Sequence, residues 1–532
     1  MSEYKSHDES FPFNIFVLPL CFGTIITILN IQWMQSSLLL NAPQGDSLVY
    51  MTESFIDYWS FKNGDISVLF KKYFVDGNQQ ASPLLWWLAA LSYFLLGLEP
   101  INAYLVISAI YLIWIAGVIY LAWCIYPDYK YALACGLMSA FLPSVISHAL
   151  RNFMLDFVAA APFIWATAFL LKSDLGFKRG YVIIYSVLCG ITVLFRTTLP
   201  PYFLSHLIII VFLAISQKRH PHYGNMLLAA LVGTLTCGGF IFPNMERIFD
   251  YYGYWTTQTP ATGTPNSFFN NLGFYFNLVN TFHLKKHALT ALLTISILST
   301  IRLIYMYRKE ILEPRQLRII FNGLIILLPL ALVSTIILSF YSSRAASVDY
   351  PFIVVYLMVP TLLWETAAHK PQTFWFGTGI MILALWMTQA NYLIKPTIKE
   401  SSAIDYRERE VIRMILDDAQ NKGKKDIVIG STAIHQHNSL SYKYWILGNY
   451  FPFWRNHVQA ASIGRTDSAK KLAKMNAKAD YVITAENYKA NWHPNNIAAP
   501  IANEILQNVN DMVYMPKPFK VPGGVTIRIL AK

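Results

Sequence analysis

The sequence predicts a mostly α-helical, polytopic membrane protein with a small α/β domain at its C-terminal end. Hydrophobic residues make up 55% of the 532 residues, and charged residues make up only 14%. Apolar runs that approach the ~20 residues of a membrane-spanning helix recur until about residue 393. After that point the chain becomes hydrophilic, and short β-branched runs alternate with helical or loop material.

Twelve apolar runs follow one another, and about eleven of them are predicted to span the membrane. The run at 83–98 starts with Ser82-Pro83, which is typical of a helix start. At ~1.5 Å per residue it covers only ~24 Å, so we expect it to lie in the interface or to re-enter. The runs are 13–33, 83–98, 101–124, 131–147, 154–171, 181–199, 201–216, 223–242, 288–307, 319–340, 350–364 and 373–392.

The distribution of basic residues predicts the orientation. The stretches 172–180, 217–222 and 302–318 are rich in lysine and arginine, which marks them as cytoplasmic. These three basic stretches lie on the same side of the membrane as residues 1–12 only if the run at 83–98 does not cross the membrane. The prediction is then a cytoplasmic N-terminus (1–12), a membrane domain (13–392) and an extracytoplasmic α/β domain (393–532). The external loops are 34–82, which holds interfacial helices, 148–153, 243–287 and 342–349.

Composition narrows the classes of partner. The net charge is +12, but the basic residues cluster in short loops, which topology and lipid head groups explain better than nucleic acid does. All five cysteines lie in or beside apolar runs, so neither a disulfide framework nor a thiolate metal site is indicated. No phosphate-binding loop, dinucleotide fingerprint or zinc spacing occurs.

The tail contains an amphipathic helical pattern at 403–421 and β-branched runs at 426–430, 480–484 and 525–530. Aromatic clusters at 442–445 and 450–454 have two interpretations. They could stack on sugar rings, or they could form the core or a docking surface of the domain, and the second interpretation is favoured.

Two carboxylates at the mouth of the membrane domain are the first candidates for chemistry. Asp46 follows the first span, and Asp156 lies at the start of the span predicted at 154–171. Charged groups at the hydrocarbon edge are costly and often functional. Each could also be a plain helix cap. Asp46 begins an amphipathic pattern in which Glu53 and Asp57 are expected to face water.

Several cations are predicted on the outer face, against the usual trend, and together with carboxylates they would suit a phosphate-bearing lipid. Arg196 could alternatively be a snorkelling arginine. Two histidines, His283 and His287, flank a lysine pair at i, i+4 spacing, but two histidines alone are a weak metal signal. The candidate phosphate-binding residues are Arg196, Arg151, Arg344, Lys285 and Lys286.

The order of these features resembles the C-type (GT-C) integral-membrane glycosyltransferases, in particular the bacterial branch of aminoarabinose transferases and protein O-mannosyltransferases. The resemblance covers about residues 13–392 and is clearest in the first 200. It rests on the external Asp46, Ser82-Pro83-Leu-Leu-Trp-Trp-Leu, Arg151…Leu155-Asp156, Gly190…Arg196 and Arg344…Asp349-Tyr350…Pro360.

The resemblance implies transfer of a sugar from a polyprenyl-phosphate donor to a lipid, glycan or protein acceptor, at the outer face of a bacterial inner membrane. It assigns Asp46 as the catalytic first-loop aspartate and Asp156 as the second-loop aspartate. The chemistry expected is inversion at the sugar, with Asp46 as general base and Asp156 orienting acceptor or base. Arg196, with Arg151 or Arg344, is expected to hold the phosphate.

One departure from the family concerns a cofactor. Many relatives have a second acid beside the first-loop aspartate, but Ser47 stands there in this chain. A divalent metal, Mg²⁺ or Mn²⁺, is therefore left open, and no metal ligand is predicted. Other functions also stay open: a transporter or flippase of lipid-linked saccharides, a sensor or assembly protein, and an oligosaccharide ligase.

Overall fold

The computed structural model describes residues 11–38, 46–257, 267–340, 349–368, 370–394 and 408–431, together with short stretches of the tail between 444 and 532. The helices up to residue 394 are α1 (Val17–Leu38), α2 (Asp46–Asn63), α3 (Ile66–Phe74), α4 (Leu84–Leu96), α5 (Pro100–Ile125), α6 (Tyr129–Ala140), α7 (Pro143–Ser147), α8 (Leu155–Lys172), α9 (Arg179–Phe195), α10 (Leu204–Gln217), α11 (Tyr223–Thr257), α12 (Phe268–Leu278), α13 (Lys285–Arg308), α14 (Pro314–Ser339), α15 (Val355–Ala367) and α16 (Pro371–Ile394).

Two compact units make up the chain. The first comprises Met1–Asn30, Ile66–Leu85 and Ile107–Lys395 and contains most of the long apolar helices. The second comprises Ile31–Asp65, Trp86–Val106 and Pro396–Lys532, so α2 and most of α4 belong to it together with the tail.

The predicted spans coincide with helices. Within the described residues, nine helices are long and apolar enough to cross a membrane, so the prediction of a multi-pass membrane protein is confirmed. The other two predicted spans, at 181–199 and 373–392, match α9 and α16, and the total of eleven stays a prediction. α4, at the run predicted to be interfacial, has only 13 residues.

Small residues bring α9 and α11 of the first unit close together. A methyl group on Gly190 would lie 2.5 Å from the Thr236 Cβ and 2.9 Å from the Gly233 carbonyl oxygen. Membrane helices often approach through such small residues, because apolar side chains gain little from leaving lipid. The close contact fixes α9 against α11.

A buried asparagine attaches the segment after α3 to α11. Asn244, which is completely buried, donates from Nδ2 to the carbonyls of Tyr73 (2.8 Å) and Phe240 (2.9 Å). Its Oδ1 accepts the backbone N–H of Gln79 at 2.8 Å. Gly77 has φ +67°, and a Cβ there would meet the Pro243 carbonyl oxygen at 2.8 Å, so glycine is required at this close approach.

In the second unit, α2 packs against α4 and the tail. Ser54 and Tyr93 share a hydrogen bond of 3.0 Å, and the Trp59 indole N–H donates to the Leu447 carbonyl at 2.9 Å. The expectation that Asp57 faces water is wrong. Asp57 is completely buried, and its Oδ2 accepts the indole N–H of Trp87 at 2.9 Å, because α2 is covered on this side by α4.

The tail forms the predicted small α/β domain. Helix α17 (Glu408–Asn421) precedes a mixed sheet with the order β2-β1-β3-β6-β4, in which β5 also pairs with β6. β1 is parallel to β2 and β3, and β6 is antiparallel to β3, β4 and β5. Tyr444 and Trp454 are buried, in line with a core role for these aromatic residues. The strands are β1 (Ile427–Ser431), β2 (Val458–Ala460), β3 (Tyr481–Glu486), β4 (Val513–Tyr514), β5 (Phe519–Lys520) and β6 (Thr526–Ala531).

Candidate active site

Two of the predicted site residues form a buried ion pair in the first unit. Asp156 lies in the first turn of α8, and Arg196 is the residue that ends α9. The Arg196 Nε lies 3.0 Å from the Asp156 Oδ1, and the side chains are only 17% and 4% exposed. Each charge also suits the dipole of its own helix end. Asp156 is therefore more than a helix cap, because its carboxylate also connects α8 to the end of α9.

Thr198 also contacts the guanidinium of Arg196. The Arg196 Nε also donates to the Thr198 Oγ1 at 3.1 Å. The neighbouring Thr197 donates its hydroxyl to the Gln80 carbonyl at 3.1 Å, so the segment after α9 is held in place from a second side. The snorkelling interpretation of Arg196 does not describe such a fixed, paired side chain.

Arg151 is anchored by a different residue of the same unit. Its Nε donates to the Asn30 Oδ1 at 2.8 Å, near the middle of α1. Burial lowers the pKa of Arg151 to about 10, so its guanidinium still carries a positive charge at pH 7.

An apolar groove begins beside this ion pair. Its volume is about 760 Å³, and α9, α10 and α11 provide nearly all of its wall. Thr197 and Pro200, directly after Arg196, line one end. Lining residues on α11 extend from Met226 to Phe249, about 35 Å of helix at ~1.5 Å per residue. That length matches the ~30 Å hydrocarbon layer of a bilayer.

A buried polar network, which the sequence did not reveal, lies in the same unit. His283 contacts the Ser144 Oγ with Nδ1 (2.9 Å) and the Asp349 Oδ1 with Nε2 (2.7 Å). Tyr350 donates its hydroxyl to the Ser144 carbonyl at 3.0 Å and lies 3.2 Å from the His148 Nδ1. The Tyr350 ring packs edge-on against Phe157, the residue after Asp156.

The remaining cation candidates have different surroundings. Lys285 and Lys286 begin α13, directly after a π-helical turn at Val279–His283. Lys285 adopts a left-handed φ of +58°, a strained conformation for a residue with a side chain. Lys286 is exposed. Arg344 lies outside the described residues.

His283 and His287 are not brought together as a metal pair. His283 is completely buried with both ring nitrogens facing protein groups, whereas His287 is exposed. Across the described ranges there is no group of three or more His, Cys, Asp or Glu side chains that could hold a metal ion. No step proposed below passes through a metal.

Asp46 belongs to the second unit. It is the first residue of α2 and is exposed, while the adjacent Ser47 is 1% exposed. A carboxylate at the first position of a helix interacts favourably with the helix dipole. Residues 39–45, which lead into Asp46, lie outside the described residues.

Comparison with solved structures identifies the architecture. The structure of ArnT from Cupriavidus metallidurans in the apo state is similar, with 11% identity, a TM-score of 0.59, and coverage of 96% of this chain and 97% of that one. The structure of the same protein bound to undecaprenyl phosphate gives 12% identity, a TM-score of 0.60, and 97% coverage of both chains. The archaeal oligosaccharyltransferase AglB from Archaeoglobus fulgidus, in complex with an inhibitory peptide and a dolichol-phosphate, gives 13% identity, a TM-score of 0.49, and coverage of 89% and 70%.

No model of a known family matches the chain, and no curated protein matches its sequence. At 11–12% identity, the likeness to ArnT concerns the fold, and it extends over both the helical region and the tail. The chain therefore shares the fold of the ArnT structures, which is the fold that the sequence resemblance predicted.

Proposed function

We propose that this protein transfers a sugar from a polyprenyl-phosphate donor to an acceptor at the outer face of a bacterial inner membrane. One observation carries the proposal. The buried ion pair of Asp156 and Arg196 stands at one end of an apolar groove as long as a bilayer is thick. An amphiphile with a long apolar chain and an anionic head group would match this arrangement, with its chain in the groove and its head group beside Arg196.

The groove suits the lipid part of such a donor. Its lining includes Leu207, Phe242 and Phe249, and the few polar atoms come from small hydroxyl and thiol side chains. A long isoprenoid chain gains free energy from apolar contacts and needs no hydrogen-bond partners. The ArnT structure of the same fold holds undecaprenyl phosphate, which supports a polyprenyl donor here.

The cations suit the phosphate. While the sugar is attached, the donor phosphate is a diester with one negative charge. When the bond to the anomeric carbon breaks, the phosphate becomes a monoester with a charge of about −1.5 to −2 at pH 7. A fixed guanidinium such as that of Arg196 therefore binds the transition state and product more strongly than the donor, which accelerates the reaction.

Arg196 is already paired, and this does not exclude the role. As the bond to the anomeric carbon breaks, the phosphate gains more negative charge than one carboxylate carries, so Asp156 and the phosphate can share the guanidinium. Asp156 then sets the orientation of the planar guanidinium. Arg151, held by Asn30 and charged at pH 7, is the second cation that we assign to the phosphate, and Arg344, Lys285 and Lys286 are further candidates.

The acceptor hydroxyl loses a proton as it attacks the anomeric carbon, and the sequence resemblance assigns this proton to the carboxylate of Asp46. Its exposed position at the start of α2 makes the carboxylate accessible. The assignment rests on the sequence resemblance. Phosphate is a good leaving group once cations neutralise it, so no partner acid is needed, and direct displacement gives inversion at the sugar.

The test is turnover by the purified full-length protein in lipid nanodiscs. A panel of undecaprenyl-phosphate-linked sugars serves as donors, with envelope lipids, glycans and proteins as acceptors. The expected result is release of undecaprenyl phosphate and gain of one sugar mass on an acceptor, both measured by mass spectrometry. Movement of intact donor between leaflets without release of the phosphate would instead identify a flippase.

Loss of transfer in Asp46→Asn, with donor binding retained, supports the base assignment, and full transfer by this variant contradicts it. The matched control is Asp65→Asn. Asp65 also lies in the first predicted external loop, is exposed, and follows the other end of α2.

A further inference from the structure

Hydrogen bonds to neighbouring residues of the first unit determine the tautomer of His148. Tyr350 has one hydroxyl proton and donates it to the backbone carbonyl of Ser144 at 3.0 Å, because a carbonyl can only accept. The Tyr350 oxygen must then accept from the His148 Nδ1, which lies 3.2 Å away. In the neutral imidazole of His148, the proton is therefore on Nδ1, and Nε2 carries the basic lone pair.

The basic nitrogen is accessible. The His148 Nε2 has no hydrogen-bond partner in the part of the chain that the structure describes, and the surrounding protein atoms do not enclose it completely. The backbone of His148 is held in place as well, since its carbonyl accepts the Asn152 side chain at 2.8 Å. A base with a fixed tautomer, a fixed ring and an accessible lone pair is prepared for proton transfer.

The surroundings keep the ring neutral at pH 7. Burial lowers the pKa of His148 below its ordinary value of 6.5, while the charge of Asp156 acts in the opposite direction and His283 adds to the lowering. Within the described ranges, Asp156 and His283, together with Tyr350, are the titratable groups that the structure places around His148. Asp156 also gives the protonated ring a counter-charge after proton uptake.

We propose that the base of this site is the Nε2 of His148, which takes the proton of the acceptor hydroxyl in place of the Asp46 carboxylate. The proposal rests on the transfer reaction proposed above. As the acceptor oxygen forms its bond to the anomeric carbon, its O–H bond breaks and the proton moves to Nε2. The bond from the anomeric carbon to the phosphate oxygen breaks, and its electron pair leaves with the phosphate. The proton then passes from His148 to water.

The pH dependence of turnover tests this role. A base must be unprotonated, so the wild-type rate should fall as the pH decreases through the pKa of His148, which burial places below 6.5. His148→Gln should lower kcat by roughly a hundredfold or more and remove this acidic limb, with little change in the KM for undecaprenyl-phosphate sugar.

Two variants serve as controls. Tyr350→Phe removes the hydroxyl that fixes the tautomer and should lower kcat by about tenfold while retaining a limb, since the ring of His148 is still present. His220→Gln makes the same change at an exposed position after α10 and should match the wild type. Size-exclusion profiles in detergent verify that each variant folds.

A direct measurement of the tautomer supplements the kinetics. Long-range ¹⁵N–¹H NMR of histidine-labelled protein, assigned by His148→Gln, should show His148 protonated on Nδ1 in the absence of substrate. Protonation on Nε2 overturns the proposal. An active wild type whose acidic limb survives in His148→Gln with kcat within threefold also overturns it and leaves the base to Asp46. A wild type that consumes no donor overturns both this proposal and the proposed function.

Discussion

The first unit contains two Arg–Asp pairs with the same chemistry and different surroundings. Asp156 and Arg196 join the start of α8 to the end of α9, with side chains 4% and 17% exposed. Asp174 and Arg219 pair at 3.1 Å between the loop after α8 and the residues after α10, with side chains 35% and 44% exposed. Both pairs consist of an arginine and an aspartate at nearly the same distance. They differ in how far their side chains are exposed to solvent.

This difference in exposure decides whether water can replace the contacts between the two charges. An exposed pair contributes about 0–1 kcal/mol, because water and salt compete for both charges. Burying two charges costs several kcal/mol per ion, which their mutual attraction repays only in good geometry. A chain that keeps the buried pair at the end of a groove retains a costly feature, and the transfer chemistry proposed here gives it a use.

Breaking each pair should reveal the largest difference in stability. Arg196→Gln leaves the Asp156 carboxylate buried without its cation and should lower the free energy of unfolding by about 3–5 kcal/mol. Arg219→Gln should lower it by about 0–1 kcal/mol. Reversible unfolding in mixed micelles measures both, and equal losses would contradict the comparison.

Conservative replacement should separate catalysis from folding. Arg196→Lys keeps the positive charge and the pairing with Asp156 but loses the planar fork that a phosphate contacts at two points. We expect kcat/KM for the polyprenyl-phosphate sugar to fall by roughly a hundredfold, about 2.7 kcal/mol. Arg219→Lys should stay within twofold of the wild type, and an equal decrease in both variants would remove the special role of Arg196.

The wall of the groove allows a test of intermediate size. Gly190→Ala introduces a methyl group 2.5 Å from the Thr236 Cβ and should cost about 1–3 kcal/mol of stability through overpacking. Gly239→Ala adds the same group on α11, where no atom lies within 4 Å, and should have no such cost. Thermal unfolding of the two variants gives the difference, and similar melting temperatures would show that α9 and α11 can separate without cost.

Salt should produce the smallest effect. Raising ionic strength from about 0.01 to 1 M shortens the Debye length from ~30 Å to ~3 Å and screens exposed charges. The coupling energy of Asp174 and Arg219, measured by a double-mutant cycle, should fall by a few tenths of a kcal/mol. The coupling of Asp156 and Arg196 should stay constant, and a parallel decrease would mean that water reaches the buried pair.

Much of the fold could be predicted from the sequence, because long apolar runs and alternating β-branched runs are local signals. The runs matched helices, and those at 426–430, 480–484 and 525–530 became β1, β3 and β6. Asp156 and Arg196 were recognisable one by one as costly charges near apolar runs. Their pairing was not predictable, since it depends on how α8 and α9 align across 40 residues of chain.

The rest of the site depends on tertiary contacts that no local pattern encodes. His148 follows a short helix and resembles an ordinary loop histidine, and only the position of Tyr350, some 200 residues later, fixes its tautomer. Asp57 matched the polar face of an amphipathic helix, yet α4 covers that face and Trp87 binds the carboxylate. The amphipathic pattern predicts exposure only if the polar face of the helix is in contact with water. In α2 part of that polar face is covered by protein as well.

The lipid-facing wall of the groove has a consequence for how turnover must be measured. Leu207, Phe242 and Phe249 line the groove and are also 59%, 61% and 66% exposed, so the groove is open along one side at the surface of the helical region. In the proposed function, the polyprenyl-phosphate donor enters through this open side by diffusion within the membrane plane. The relevant concentration becomes the mole fraction of donor among lipids, and inert phospholipid should slow the reaction even when the amounts of enzyme, donor and water are unchanged.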